Sequence, residues 1–124
     1  MVGVDIARVD RMRDLLARYP RAEERFFTPV ERAHCRGFTD PSRHFAGTFA
    51  AKEAVVKALR LGHIGAWLRQ IEIARDASGA PTATVRGRRR EVALSISHEV
   101  DTAVAVAVAL PERRFGFLRR LART

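Results

Sequence analysis

The segment 45-FAGTFAAKEAVVKALR-60 constrains this chain more than any other. It reads as a helix that is apolar on nearly every side, and such a helix is stable only where other elements cover it all round. The fold must therefore be built about it. Yet the segment carries Glu53 and two lysines, Lys52 and Lys57. At about 100° per residue, Glu53 lies about 40° from Phe49, with Phe45 and Val56 on the same side and Lys57 about 40° further round. The carboxylate points toward the core side, where an ionised acid without a partner costs several kcal/mol. An i,i+4 ion pair with Lys57 is the simplest partner, worth a few tenths of a kcal/mol if exposed.

The rest of the chain has an α+β order. Residues 2-VGVDIA-7 alternate, with Val2, Val4 and Ile6 on one side and Gly3, Asp5 and Ala7 on the other, which predicts a strand. A helix follows to about Ala17 and is ended by Pro20. The run 28-TPVERAHC-35 opens a second helix, with Thr28 as N-cap, Pro29 in its first turn and Glu31 completing a capping box. Asp40 or Ser42 caps the long helix, which runs to about Arg60 before Gly62 and Gly65 break it. The second half is β-rich. The runs 71-IEIAR-75 and 82-TATVRG-87 flank the turn 76-DASGAP-81 as a hairpin, and 93-ALSIS-97 pairs with 102-TAVAVAVAL-110. In that last run the alanines share one face, which must sit close against something bulky.

Asp5 adds a second acid to the question raised by Glu53. A strand carboxylate facing away from the valines and a helix carboxylate on a half-buried face make a hard-oxygen site. Magnesium commonly takes one or two protein carboxylates and completes its octahedron with water and phosphate oxygens. Two acids with a lysine suit a diphosphate. The chain has neither a GxxxxGK[ST] loop nor a GxGxxG fingerprint, so a phosphate would be held by metal, side chains and irregular backbone. At the end of a strand, 95-SISHE-99 presents Ser97 and His98, both able to donate hydrogen bonds to phosphate oxygens. No nucleophile elbow surrounds either serine.

Composition narrows the setting. A length of 124 residues suits one domain, and the single cysteine, Cys35, excludes an internal disulfide and a multi-cysteine zinc cluster. We read Cys35 as a bystander. No run approaches a membrane span and the N-terminus lacks the order of a secretory signal, so the expected location is cytoplasmic. A formal net charge of +9 predicts an acidic partner. The positive charge gathers in Arg8 to Arg25, in 86-RGRRR-90 and in the tail 112-ERRFGFLRRLART-124. A nucleic-acid-binding module is disfavoured by 7% aromatic residues and the lack of an RRM, zinc-finger or helix-turn-helix signature.

The segments 3-GVDIARVDR-11, 26-FFTPVE-31, 49-FAAKEAVVKAL-59, 71-IEIARDASGAP-81 and 95-SISH-98, in this order and spacing, resemble the holo-acyl-carrier-protein synthases, the small 4′-phosphopantetheinyl transferases. The resemblance covers residues 3 to about 110. It implies the fold of that superfamily, an antiparallel sheet packed against a long central helix. It also implies a magnesium-dependent enzyme that moves 4′-phosphopantetheine from coenzyme A to a serine of an acyl carrier protein and releases 3′,5′-ADP. Asp5 and Glu53 would bind the magnesium, and Lys57 would sit near the diphosphate, next to Lys52 as a further cofactor contact. Ser97, His98 and the Gly79–Pro81 turn would contact coenzyme A across the subunit boundary of a homotrimer. Arg11, Arg18, Arg21 and Arg25 would form the basic surface that receives the acidic carrier. The serine proton would pass to Glu53 or to a metal-bound water. The transferase domain would span 1–111, with 112–124 as a basic tail beyond the usual end. Two features depart from the pattern: Thr48 stands where the family commonly has arginine, and 86-RGRRREVA-93 is shorter than the helical connection of many members.

Overall fold

The computed structural model describes residues 1–111. The predicted basic tail lies outside the described residues. The elements run β1 Val2–Arg8, α1 Val9–Arg18, α2 Ala22–Phe26, α3 Pro29–Arg36, α4 Pro41–Leu59, β2 Ile71–Arg75, β3 Pro81–Val85, β4 Arg88–Arg89, β5 Val92–Glu99 and β6 Thr102–Ala109. Two antiparallel three-stranded sheets result, ordered β1-β6-β5 and β2-β3-β4. Among the described residues no helix is long and apolar enough to cross a membrane.

Helix α4 is the axis of the core. Phe45, Ala46, Ala50, Ala51, Ala54 and Val55 have no exposed surface. The alanines of β6 supply the flat surface that a helix needs for close approach: Ala103, Ala105 and Ala107 are fully buried. The bulky partner expected for the alanine face is thus α4 of the same chain. On β1 the contact is tighter still. A Cβ added at Gly3 would lie 1.9 Å from the Ala54 carbonyl oxygen and 2.8 Å from the Ala58 nitrogen, both backbone atoms that cannot swing aside. Gly3→Ala is therefore expected to cost about 3 kcal/mol, the upper end of overpacking penalties. An unchanged urea midpoint would refute this account of the contact.

The opposite face of this sheet is uncovered in the single chain. Val2, Val4 and Ile6 are 62%, 48% and 64% exposed. Directly across from them on β6 stand Val108, Val106 and Val104, so the apolar surface continues over two strands.

The local signals act as predicted at α3. Thr28 Oγ1 accepts from the Glu31 amide at 3.3 Å and Glu31 Oε1 accepts from the Thr28 amide at 2.9 Å. At α4, Asp40 occupies the N-cap position but makes no capping bond. Its carboxylate instead takes the Arg13 guanidinium at 3.1 Å, so a tertiary ion pair has displaced the local cap. The helix ends at Arg60 in the left-handed region, before the glycines. Sequence reading passed over the one-turn α2 and the two-residue β4. Both are too short for a periodic signal.

Candidate active site

Pairing of Asp5 with Ala105 puts Asp5 on the α4 side of the sheet, as the alternation of β1 requires. There the Lys57 ammonium donates to Asp5 Oδ1 at 3.0 Å and to the Val4 carbonyl at 3.0 Å. Lys57 is bonded to the strand, and the expected Glu53–Lys57 ion pair is not the contact formed among the described residues. Glu53 instead meets Asp5. Its carboxyl is pushed up to about 7, first by burial, then by the hydrogen bond to Asp5 and the Asp5 charge, with Lys57 opposing. Two carboxylates face each other across the strand–helix contact, and the neighbouring Asp5 disfavours ionisation of Glu53.

That pair fits magnesium by its chemistry. A hard divalent cation between two adjacent acids would relieve the pressure that burial and Asp5 put on the Glu53 carboxylate. No group of three or more potential ligands occurs among the described residues. An ion needing a full protein cage is therefore a poor match. One that keeps water and phosphate oxygens is a good one.

His98 and Gly79 lie elsewhere in the chain. They line a cavity of about 370 Å³ with His34, His44, Phe38 and Arg75. This cavity stands on the β5 side of α4, whereas Asp5 is on β1 at the other edge of the same sheet. Phe38 stacks on His44 at 3.5 Å between centroids, and His98 meets His44 edge-on at 5.2 Å. Burial, followed by the charge of Arg75, holds His34 below its ordinary range, and burial followed by His98 and His34 does the same to His44. The turn that presents Gly79 is tied by Asp76, whose Oδ1 accepts from the Ser78 amide, the Ser78 hydroxyl and the Ala80 amide at 2.6–3.0 Å. Gly79 itself has φ +87°, a conformation that glycine adopts without strain. Ser97 pairs with Val104, on the valine face, so it points away from the cavity that holds His98.

The family model of the 4′-phosphopantetheinyl transferase superfamily matches residues 1–109. The chain belongs to this superfamily. It is 45% identical over 112 residues to the holo-[acyl-carrier-protein] synthase of Geobacillus kaustophilus, a match covering 86% of this chain and 85% of that protein. With the synthase of Caldanaerobacter subterraneus subsp. tengcongensis it shares 38% identity over 118 residues, 88% of this chain and 93% of that one. Among solved structures, the Helicobacter pylori holo-[acyl-carrier-protein] synthase in complex with coenzyme A superposes with a TM-score of 0.75 at 33% identity, covering 89% of this chain and all of that one. The Neisseria meningitidis synthase gives 0.76 at 31% identity, over 89% and 97%. The predicted α+β transferase fold stands.

Within this phosphopantetheinyl transferase, Lys52 takes a position that excludes the predicted cofactor contact. It is fully buried, and its ammonium is held by Glu31 Oε1 at 2.5 Å, the Phe26 carbonyl at 2.9 Å and the Leu68 carbonyl at 2.5 Å. The helical step of about 100° from Glu53 turns it to the opposite flank of α4. Glu31 also accepts from the Ile73 amide at 2.7 Å, so one acid ties α3, α4 and β2 together. Its capping box was legible in the sequence, whereas its burial against Lys52 was not. Burial pushes Glu31 up and Lys52 down, each against the attraction of its partner.

Of the predicted basic surface, Arg18, Arg21 and Arg25 gather at one groove of about 580 Å³ with Leu15, Tyr19 and Phe26. Arg11 stands about two turns away toward the start of α1. Pro81 opens β3 and the cavity wall is formed by Gly79. Sequence reading missed His34, His44 and Arg75, whose only signal is proximity in the fold. Cys35 is buried beside Thr48 at 3.6 Å, and burial drives its thiol up to about 11, which keeps it inert.

Proposed function

We propose that the protein is a magnesium-dependent holo-acyl-carrier-protein synthase, moving 4′-phosphopantetheine from coenzyme A to a serine of an acidic apo carrier protein. The observation that carries this reading is the facing pair Asp5 and Glu53 with Lys57 at 3.0 Å from Asp5. The carrier serine attacks the pantetheine-side phosphorus of the diphosphate, and its hydroxyl proton passes to Glu53 or to water. The bond from that phosphorus to the bridging oxygen breaks, and 3′,5′-ADP leaves. Asp5 and Glu53 would hold magnesium, which when bound neutralises diphosphate charge. Lys57, half exposed at the rim, adds a cation where negative charge develops on the leaving group. On the other edge, Gly79 and His98 would hold the nucleotide end, beside Arg75. That guanidinium has no carboxylate partner among the described residues, and it supplies positive charge that buried Thr48 does not. Incubation with coenzyme A, magnesium and apo carrier should raise the carrier's mass by one phosphopantetheine. Coenzyme A binding with no mass gain would mark a non-catalytic family member instead.

The halves of the site lie on opposite edges of one sheet, which supports a homotrimer with each site shared between neighbours. The valine face of β1 and β6, and not the alanine face, is the apolar surface such an assembly would cover. Light scattering should give three chains per particle. A fully active monomer would contradict the shared site.

The basic groove supports an acidic docking partner. Arg11→Glu or Arg18→Glu should raise the KM for carrier and flatten its salt dependence, because exposed charges act mainly on encounter within a Debye length of about 8–10 Å. The KM for coenzyme A should not change. Carrier kinetics indifferent to both reversals would remove this surface from the account.

A further inference from the structure

The arginines 86-RGRRR-90 have no part in the chemistry above, and their position gives them one. Val85 pairs with Arg88, leaving Arg86 and Gly87 as a two-residue turn with φ of +51° and +76° at the tip of the β3–β4 hairpin. The turn is fixed to the body. The Arg86 amide donates to the Gln70 carbonyl at 2.7 Å, and the Arg86 guanidinium lies 4.6 Å from the centre of the Trp67 ring. Arg86, Arg88 and Arg89 are all exposed, as is Arg69 beside them. Arg69 and Arg86 line a groove of about 370 Å³ whose acid is Glu72. None of Arg69, Arg86 and Arg88 has a carboxylate within ion-pair distance among the described residues, and Arg89 feels Asp76 only at longer range.

This groove adjoins the one that holds Arg18, Arg21 and Arg25. Phe26 lines the Arg18 groove and Thr28 the Arg69–Arg86 groove, with buried Phe27 between them in the chain. The Lys52 ammonium bonds both the Phe26 and the Leu68 carbonyls, which places the segment bearing Arg69 alongside the end of α2. Guanidinium groups without a carboxylate partner among the described residues therefore run from α1 past the Phe26–Thr28 segment to Arg69 and Arg86 at the hairpin tip; on β4, Arg89 stands across from Thr84 on the groove's face and Arg88 across from Val85 on the other. Glu23 and Glu24, the nearest acids of α2, are occupied by Arg32 and Arg36.

We propose that the Arg86–Arg89 hairpin is a second docking flank for the acidic carrier protein, gripping a segment of it that the α1–α2 groove does not reach. The proposal rests on the carrier-modifying reading above. Glu72 within the groove, whose lining holds no aromatic ring, favours a protein surface over nucleic acid.

The test is steady-state kinetics of the full chain with apo carrier, for the parent, for Arg88→Glu/Arg89→Glu, and for Arg88→Ala/Arg89→Ala in case reversal perturbs the edge strand. The KM for carrier is expected to rise about fivefold or more in the reversal variant and less in the alanine variant, with a flatter dependence on salt and an unchanged KM for coenzyme A. Combination with Arg18→Glu should multiply the two effects, as for separate contacts on one partner. An unchanged carrier KM in both variants overturns the proposal and leaves the arginines as edge-strand guards. An unchanged carrier KM with loss of duplex-DNA binding overturns it in favour of nucleic acid. A parent that binds coenzyme A but modifies no carrier defeats the carrier reading itself, an outcome visible before any hairpin variant is compared.

Discussion

Asp5→Asn and Glu53→Gln are each expected to reduce magnesium-dependent transfer by roughly 10²–10³-fold while the protein stays folded. The two side chains meet at the contact between β1 and α4, which rests mainly on the close packing of Gly3, Ala54 and the alanines of β6; Asp5 adds the half-exposed ion pair to Lys57. For Glu53→Gln the metal-free stability should move in the opposite direction to activity. Glu53 in the folded chain titrates near 7, above its ordinary 4.5. The folded state therefore holds an extra proton in that window, and the associated stability is present at low pH and lost as the pH rises through 7. Above pH 7 the metal-free parent carries the strain of two facing carboxylates. The amide variant should then be more stable, by on the order of 1 kcal/mol once solvent screening is allowed for. At pH 5 the difference should vanish. Normal turnover in both variants would sink the metal assignment, and a Glu53→Gln protein less stable than the parent at pH 8 would sink the electrostatic account. In the parent, transfer should decline as the pH falls through 7, because protonation of Glu53 competes with cation binding.

Lys52→Met is expected to destabilise the fold by about 3–5 kcal/mol. Lys52 and Glu31 have no exposed surface in their side chains, and removal of the ammonium leaves a buried carboxylate with only the Thr28 and Ile73 amides as donors. Burial outweighs attraction for both partners, so the pair does not stabilise the core as a hydrophobic substitute would. The loss comes from the charge left behind. Two outcomes follow from that cause. Lys52→Met combined with Glu31→Gln should recover part of the lost stability, with coupling measurable in a double-mutant cycle. The deficit of the single variant should shrink as the pH falls, since a protonated Glu31 is no longer an unpaired charge. A denaturant midpoint within error of the parent would show that the buried pair is not what holds α3 to α4. The same experiment separates Lys52 from Lys57, whose exposed ammonium should affect turnover far more than stability.

The sequence by itself determined what depends on neighbours along the chain. The period of residues 45–60 required a central helix, the alternation in β1 and β6 sorted alanines from valines, and Thr28 with Glu31 marked the start of α3. Resemblance to the transferases then singled out Asp5, Glu53 and Lys57 as one constellation, and the fold brings those three together. Only the tertiary structure decided which charge meets which. Lys57 left its i,i+4 neighbour for a strand residue 52 positions away, Asp40 gave up its cap for Arg13, and Lys52 went inward to Glu31 while the adjacent Glu53 went to Asp5. Helical spacing states the angle between two side chains but not what lies opposite each of them. A buried charge is so costly without its partner that the surrounding elements, and not the local sequence, settle where it goes. The same reason separates His98 from Asp5 in the single chain: strand order, which no local pattern encodes, put β1 and β5 on opposite edges of one sheet.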